Sequence, residues 1–279
     1  MIEFLGVYAS AITPRGKQGD VDYGAAFELI DHLYKGGANG IVLFGAEGEY
    51  PSFTAAERTR LAYLAVKRSR VPVLVGAGAA TLDVTVELAR EACDAGAEAV
   101  LVPPPHFFRY DQDDLRAFYC QVAAEVPRDT ELVLYNVAGG ASTIANDTAA
   151  DLLASGRFAA IVHPENASSL PSDKVLGCDT CPVARAVVSA AACAVPELVA
   201  AVNRGGSVAE RLRTKLDELL AWAARFPNPT LWKVATGLRG LKTGSLAAPL
   251  SARKQRDLEA FREWFRDWLP EVRKLSANA

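Results

Sequence analysis

The sequence predicts an α/β fold, a (β/α)8 (TIM) barrel with additional C-terminal helices and a short, irregular crossover between its seventh and eighth strands. Three observations predict it. Residues 71–105, VPVLVGAGAATLDVTVELAREACDAGAEAVLVPPP, read as one complete strand, helix and strand. The unit recurs along the chain, and a parallel strand pair buries both faces, so one such unit requires others beside it. A length of 279 residues suits one barrel of about 250 residues better than two domains. The barrel is expected over residues 1–200, and a helical extension packed on it over 201–279.

In that central unit, residues 71–75 are a short β-branched run, the signal of a strand. Residues 76–80 supply small side chains for a tight turn, and Thr81 is placed to cap a helix that Asp83 opens with a favourable charge. Val84, Leu88, Ala92 and Ala95 repeat at helical spacing, Gly96 closes the helix, and residues 98–102 form the next strand. Upstream, residues 6–12 are a first strand, TPRGKQGD is a loop, and residues 23–34 are a helix ended by Gly36 and Gly37. Residues 41–44 are the second strand, and Thr54 with Glu57 has capping-box spacing for a helix running to about Ser69. Downstream come a loop over 103–111, a helix over 113–125 and a fifth strand over 131–136. A small-residue loop over 139–146, a helix over 147–154 and a sixth strand over 158–163 follow. Residues 175–177 read as strand seven, and the apolar run 190–194 as strand eight. From there the pattern is helical: 197–203, 208–226, 230–238 and 253–275, with Trp264, Phe265 and Trp268 as docking residues. The span 179–195 is too short for a full crossover helix and strand, which need about a dozen residues before the strand is counted.

Composition narrows the class of partner. Half of the residues are hydrophobic and the formal net charge is −3 without a basic stripe, so nucleic acid is not expected. Uncharged runs are too short for a membrane span, and the MIEF start has no signal-peptide pattern. Five cysteines without framework spacing point to a reduced, cytoplasmic protein. Cys178 and Cys181 have C-x-x-C spacing but no second pair to complete a zinc site. Gly76 and Gly78 lack the third glycine of a dinucleotide fingerprint.

The ordered segments GVYASAITP, GANGIVLFGAEGE, the 71–105 unit, LVLYNV, VPELVAAVNRG and PNPTLWKVA resemble the dihydrodipicolinate synthase and N-acetylneuraminate lyase family over nearly the whole chain. The resemblance implies a (β/α)8 barrel with C-terminal helices, a homodimer or homotetramer, and a class I aldol reaction in which a lysine forms a Schiff base with pyruvate. Small oxo-acids or sugar-like molecules would be its ligands.

Carried over residue by residue, the site departs from that pattern. Where the family has G-T-T-G-E to hold the pyruvate carboxylate, this chain has Gly45, Ala46, Glu47, Gly48 and Glu49. Glu47 would repel an anion, more strongly as the site becomes drier. The tyrosine pair at the end of strand four corresponds to Pro105 and His106, and His106 could exchange protons near neutral pH. Tyr135 matches the family's proton-transfer tyrosine, while Gly140 stands near the place of the arginine that receives a second substrate. In strand six the family reads close to G-I-K-[DE], and this chain reads Ala160, Ile161, Val162 and His163. The Schiff-base lysine aligns with Val162, or with His163 after a one-residue slip, and neither can form an imine. Lys174 precedes strand seven at the wrong end of the barrel, and Lys233 and Lys242 fall in the helical extension.

The C-terminal rim, where such barrels place their sites, then carries Glu47, Glu49, Tyr50, His106, Tyr135, His163, Glu165 and Asp179. This set could bind a divalent metal, act as an acid/base pair, or be vestigial. The candidate catalytic residues are Tyr135, His106, Glu47 and His163, and the ligand-binding candidates are Gly45, Ala46, Gly48, Gly140, Val162 and Asp179; no metal site and no cofactor are assigned. Two functions stay open: an enzyme of small oxo-acids or sugar-like molecules that works without an imine, and a noncatalytic homologue that binds a ligand or regulates a catalytic relative. The first requires a concave pocket bringing Tyr135 to His106 or Glu47; the second predicts a filled or disconnected one.

Overall fold

A computed structural model describes residues 3–136, 140–162, 168–180 and 185–277. Eight strands run parallel: β1 (Gly6–Ser10), β2 (Gly40–Leu43), β3 (Val73–Gly76), β4 (Ala99–Val102), β5 (Leu132–Tyr135), β6 (Phe158–Val162), β7 (Val175–Leu176) and β8 (Ala186–Ser189). Their order is β7-β6-β5-β4-β3-β2-β1-β8, and a parallel bridge from Gly177 to Val187 closes the ring. Alternation along each strand sorts the side chains. Tyr8, Val42, Leu74, Leu101, Val133, Tyr135, Val162 and Val188 fill the barrel, while Val7, Ile41, Val75, Val100, Leu134, Ile161 and Val187 face the helices.

The first five crossovers carry helices: α1 (Tyr23–Lys35), α2 (Ala55–Arg68), α3 (Leu82–Ala95), α4 (Gln112–Glu125) and α5 (Asn146–Ala154). Their caps follow the sequence at most ends. Thr54 and Glu57 form the reciprocal capping box of α2, and Gly96 ends α3 in the left-handed conformation at φ +87°. Thr81 occupies the N-cap position of α3, but its side chain makes no cap hydrogen bond; its carbonyl accepts from the Thr85 hydroxyl instead.

Past β6 the regular alternation stops. Between β6 and β7 the described residues form only a 3₁₀ turn, Ser172–Lys174, so the shortening expected between strands seven and eight also affects the preceding crossover. The Lys174 ammonium donates to the Leu153 carbonyl at the end of α5, away from the mouth. Strand eight lies earlier than the sequence suggests: β8 is Ala186–Ser189, while Ala191–Cys193 is a 3₁₀ turn leading into α6 (Pro196–Arg204). The reason is side-chain shape. Val187 and Val188 are β-branched and suit a pleated strand, whereas residues 190–194 are four alanines and a cysteine, followed by Pro196 at a helix start.

The remaining helices are α7 (Ala209–Ala223), α8 (Thr230–Leu238) and α9 (Ala252–Ala277). They share the barrel's outer core through buried Leu212, Leu216, Phe261, Phe265 and Val272. Trp264 and Trp268 stack at 5.0 Å between centroids within this aromatic layer, and the Trp268 indole donates to Glu218 at 2.8 Å. With no crossover helix among the described residues beside β7 and β8, a cavity of about 460 Å³ lies between Val187, Val199 and Val202 of α6, and Leu216.

Candidate functional site

The loop after β2 shapes the mouth of the barrel. Phe44 and Glu49 adopt φ of +54° and +51°, uncommon for residues with side chains, and the turn between them packs tightly. A Cβ on Gly48 would lie 2.8 Å from the Phe44 backbone, and one on Gly76 2.1 Å from the Phe44 carbonyl oxygen, so both positions require glycine. This turn directs Glu47 and Glu49 to different partners.

Glu47 faces the mouth. Its Oε2 accepts from Ser10 Oγ at 2.5 Å and its Oε1 from Asn228 Nδ2 at 3.1 Å. Beside it, the Tyr135 hydroxyl accepts from the Ala46 N–H at 3.2 Å. Burial, reinforced by the Glu47 charge, raises the Tyr135 pKa far above the ordinary tyrosine value, so the ring stays a neutral phenol. Glu49 turns away and forms a buried ion pair with Lys233 of α8, whose ammonium also donates to the Ser245 carbonyl at 3.2 Å. Burial lowers the Lys233 pKa, against the opposing pull of Glu49.

Asp179 completes the buried polar set. Oδ1 accepts from Ser189 Oγ at 2.5 Å and Oδ2 from the Ala191 N–H at 2.9 Å. Burial, with the charge of Glu47 adding to it, pushes the Asp179 carboxyl up to about 6. Val162 pairs with Tyr135 across β6 and β5, after a one-residue slip in register near Leu132. Val162 thus faces the barrel interior at the end of β6, in the same inner cluster as Tyr135.

A cavity of about 230 Å³ joins these groups, its wall including Ala46, Glu47, Tyr135, Val162, Asp179 and Asn228. Thr180 and Trp232 also line it, and its described lining contains no lysine. The pocket is therefore concave and carries two carboxylates, a phenol and the amides of Asn136 and Asn228, with an aliphatic side chain on the wall at the end of β6. Such a surface can accept hydrogen bonds and balance positive charge.

Several expected residues lie elsewhere. His106 does not line the cavity. Its backbone N–H donates to the Ala79 carbonyl, which ties the loop to the turn before α3, and its ring packs edge-on against Tyr50 at 5.4 Å. Tyr50 in turn lies under Arg58, whose guanidinium donates to the Gly76 and Gly78 carbonyls at 2.8 Å each. Burial, with the charge of Arg58, lowers the His106 pKa. Gly140 is exposed and off the cavity wall. Gly45 sits directly behind the wall, where a Cβ would approach Ser10 Oγ at 3.0 Å and the Tyr135 hydroxyl at 3.3 Å. Gly48 contributes its carbonyl, which accepts from Thr13 at 2.8 Å. His163, Glu165 and Cys181 lie outside the described residues. Among the described residues, no group of three or more His, Cys, Asp or Glu could hold a metal ion, and no helix is long and apolar enough to cross a membrane.

Sequence reasoning missed Ser10, Ser189 and Asn228. Ser10 carries a usable signal, since it falls in phase with inward-facing Tyr8 on β1. Ser189 ends β8 in phase with outward-facing Val187, so strand alternation gives no signal for its bond to Asp179. Asn228 has no periodic signal, because it lies in the loop before α8 and meets Glu47 only in the folded chain.

The geometry can be compared with that of known proteins. Residues 3–161 match the model of the dihydrodipicolinate synthetase family. The chain is 30% identical over 288 residues to the 4-hydroxy-tetrahydrodipicolinate synthase of Heliobacterium modesticaldum, covering 94% of this chain and 95% of that protein. It is also 30% identical over 277 residues to the enzyme of the same name from Bacillus subtilis, covering 89% and 94%. The crystal structure of dihydrodipicolinate synthase from Aquifex aeolicus superposes with a TM-score of 0.85 at 25% identity, over 97% of this chain and 98% of that one. Fold and sequence agree from β1 to α9, and the chain belongs to the dihydrodipicolinate synthetase family.

Proposed function

We propose that this family member binds a small, hydroxylated ligand, neutral or cationic, in the barrel mouth and forms no imine there. The observation that carries the reading is the pairing of Val162 with Tyr135 on a pocket wall that also holds Glu47 and Asp179. An aliphatic side chain offers no nucleophile to a carbonyl. A ligand carboxylate held about 4 Å from Glu47 would be opposed by about 4 kcal/mol at an effective dielectric constant near 20, roughly a thousandfold in affinity. Of the two ligand classes the family resemblance suggests, these carboxylates favour the sugar-like one over the oxo-acid, because hydroxyl groups can donate to them.

A second reading rests on Asp179, whose carboxyl is pushed up to about 6 in the same cavity. A buried acid that titrates near neutrality can exchange a proton with a bound ligand, so acid/base chemistry on a polyol is the catalytic version of the proposal.

Calorimetric titration tests the ligand class. The intact chain is titrated at neutral pH with pyruvate, with xylitol as a neutral polyol and with glucosamine as a cationic one. Saturable binding of a polyol, weakened at least tenfold in Glu47→Gln, supports the reading. Saturable binding of pyruvate alone overturns it.

A further inference from the structure

A second cavity, of about 340 Å³, lies between the last turn of α1, the start of α6 and the last turn of α9. None of its lining residues lines the barrel mouth. Its wall carries Lys35, Arg239 and Arg273 against one carboxylate, Glu197. Arg239 is committed: it pairs with Glu197 at 2.9 Å and donates to the Ala194 carbonyl at 2.8 Å. Lys35 and Arg273 make no ion pair or hydrogen bond among the described residues.

Basic residues near the ends of α1 and α9 have an ordinary explanation, since the helix dipoles and free carbonyls there favour positive charge. That explanation covers the placing of Lys35 and Arg273 and leaves two features unexplained. Ser276 is 7% exposed, and its hydroxyl has no hydrogen-bond partner. His32 Nε2 is also buried without a partner. Buried polar atoms without partners are uncommon and costly, and here two of them line a cavity whose rim carries two unpaired cations.

We infer that this cavity is an oxyanion site that takes the phosphate group of a small molecule, held by Lys35 and Arg273 at the rim and by Ser276 and His32 on the wall. A tetrahedral dianion supplies what each of these groups lacks. It balances the two charges and accepts from the Ser276 hydroxyl. Burial and the neighbouring Arg239 and Arg273 lower the His32 pKa, so Nε2 donates as well once the bound anion draws a proton onto the ring. The surplus space leaves room for the remainder of a small phosphorylated molecule.

The probe is inorganic phosphate, added to the intact chain at pH 7 and constant ionic strength, with thermal unfolding as the readout. The site predicts a saturable rise in Tm with half-effect in the low millimolar range, because a ligand that binds only the folded state stabilises it. Arg273→Gln and Lys35→Gln should each weaken that half-effect at least fivefold. Lys274→Gln, one residue along α9 and off the cavity wall, should leave it unchanged. Ser276→Ala provides a second readout: without phosphate its Tm should match or exceed the parent's, since the hydroxyl removed had no partner, while its phosphate half-effect weakens. No saturation by 50 mM, or equal responses in the parent, Arg273→Gln and Lys35→Gln, would overturn the site.

Discussion

Ser10 and Glu47 meet across the barrel mouth, with the Ser10 hydroxyl donating to Glu47 Oε2 at 2.5 Å. The bond ties β1 to the loop after β2 and fixes the carboxylate whose presence argues against an anionic substrate. Replacing Ser10 by Ala leaves that oxygen buried with one donor fewer. Loss of about 1–3 kcal/mol is expected in urea unfolding, with a barrel that otherwise folds normally. A change below about 0.3 kcal/mol would mean the bond contributes little.

The Glu49 and Lys233 pair makes a stronger demand. Both side chains are almost fully buried, with Lys233 at 1% exposure and Glu49 at 8%. Lys233→Met should cost about 3–5 kcal/mol by stranding a buried carboxylate. The double variant Glu49→Gln with Lys233→Met should recover a large part of that loss. Additive losses in a double-mutant cycle would contradict the pairing.

Asp179 makes stability depend on pH with a defined sign. Its folded pKa, about 6, lies above the ordinary aspartate value of 3.8. The folded state therefore holds the proton more tightly than the unfolded chain does. The contribution is fully present below about pH 4 and is lost as the pH rises through about 6, amounting to about 2–3 kcal/mol. Asp179→Asn should remove this dependence, so its stability relative to the parent should improve between pH 4 and 7. Parallel pH profiles for the two proteins would show that Asp179 titrates normally.

Much of the fold is legible because strand and helix periodicities are local. The 71–105 unit, the Thr54 and Glu57 capping box and the left-handed Gly96 can each be read from a few neighbouring residues. Strand eight was misplaced because an alanine run looks apolar but has no shape preference for a strand, whereas Val187 and Val188 do. The candidate site was legible in its composition and less so in its geometry. Tyr135, Glu47, Val162 and Asp179 do converge on one cavity, since each lies at or shortly after the C-terminal end of a barrel strand. His106 does not, because the bond from its amide to Ala79 holds its loop elsewhere. Lys233 falls in the helical extension, as the sequence places it, yet its ammonium reaches a loop residue far away in sequence. Nothing local signals a contact of that kind.

The central claim is that the barrel mouth forms no imine with pyruvate. Borohydride reduction in the presence of pyruvate, followed by mass spectrometry, tests it most directly, with a lysine-containing family member as positive control. The account predicts a labelled control and no reduced adduct on this chain. A reduced adduct on any lysine of this chain, with Lys233 the first to be mapped, would contradict it.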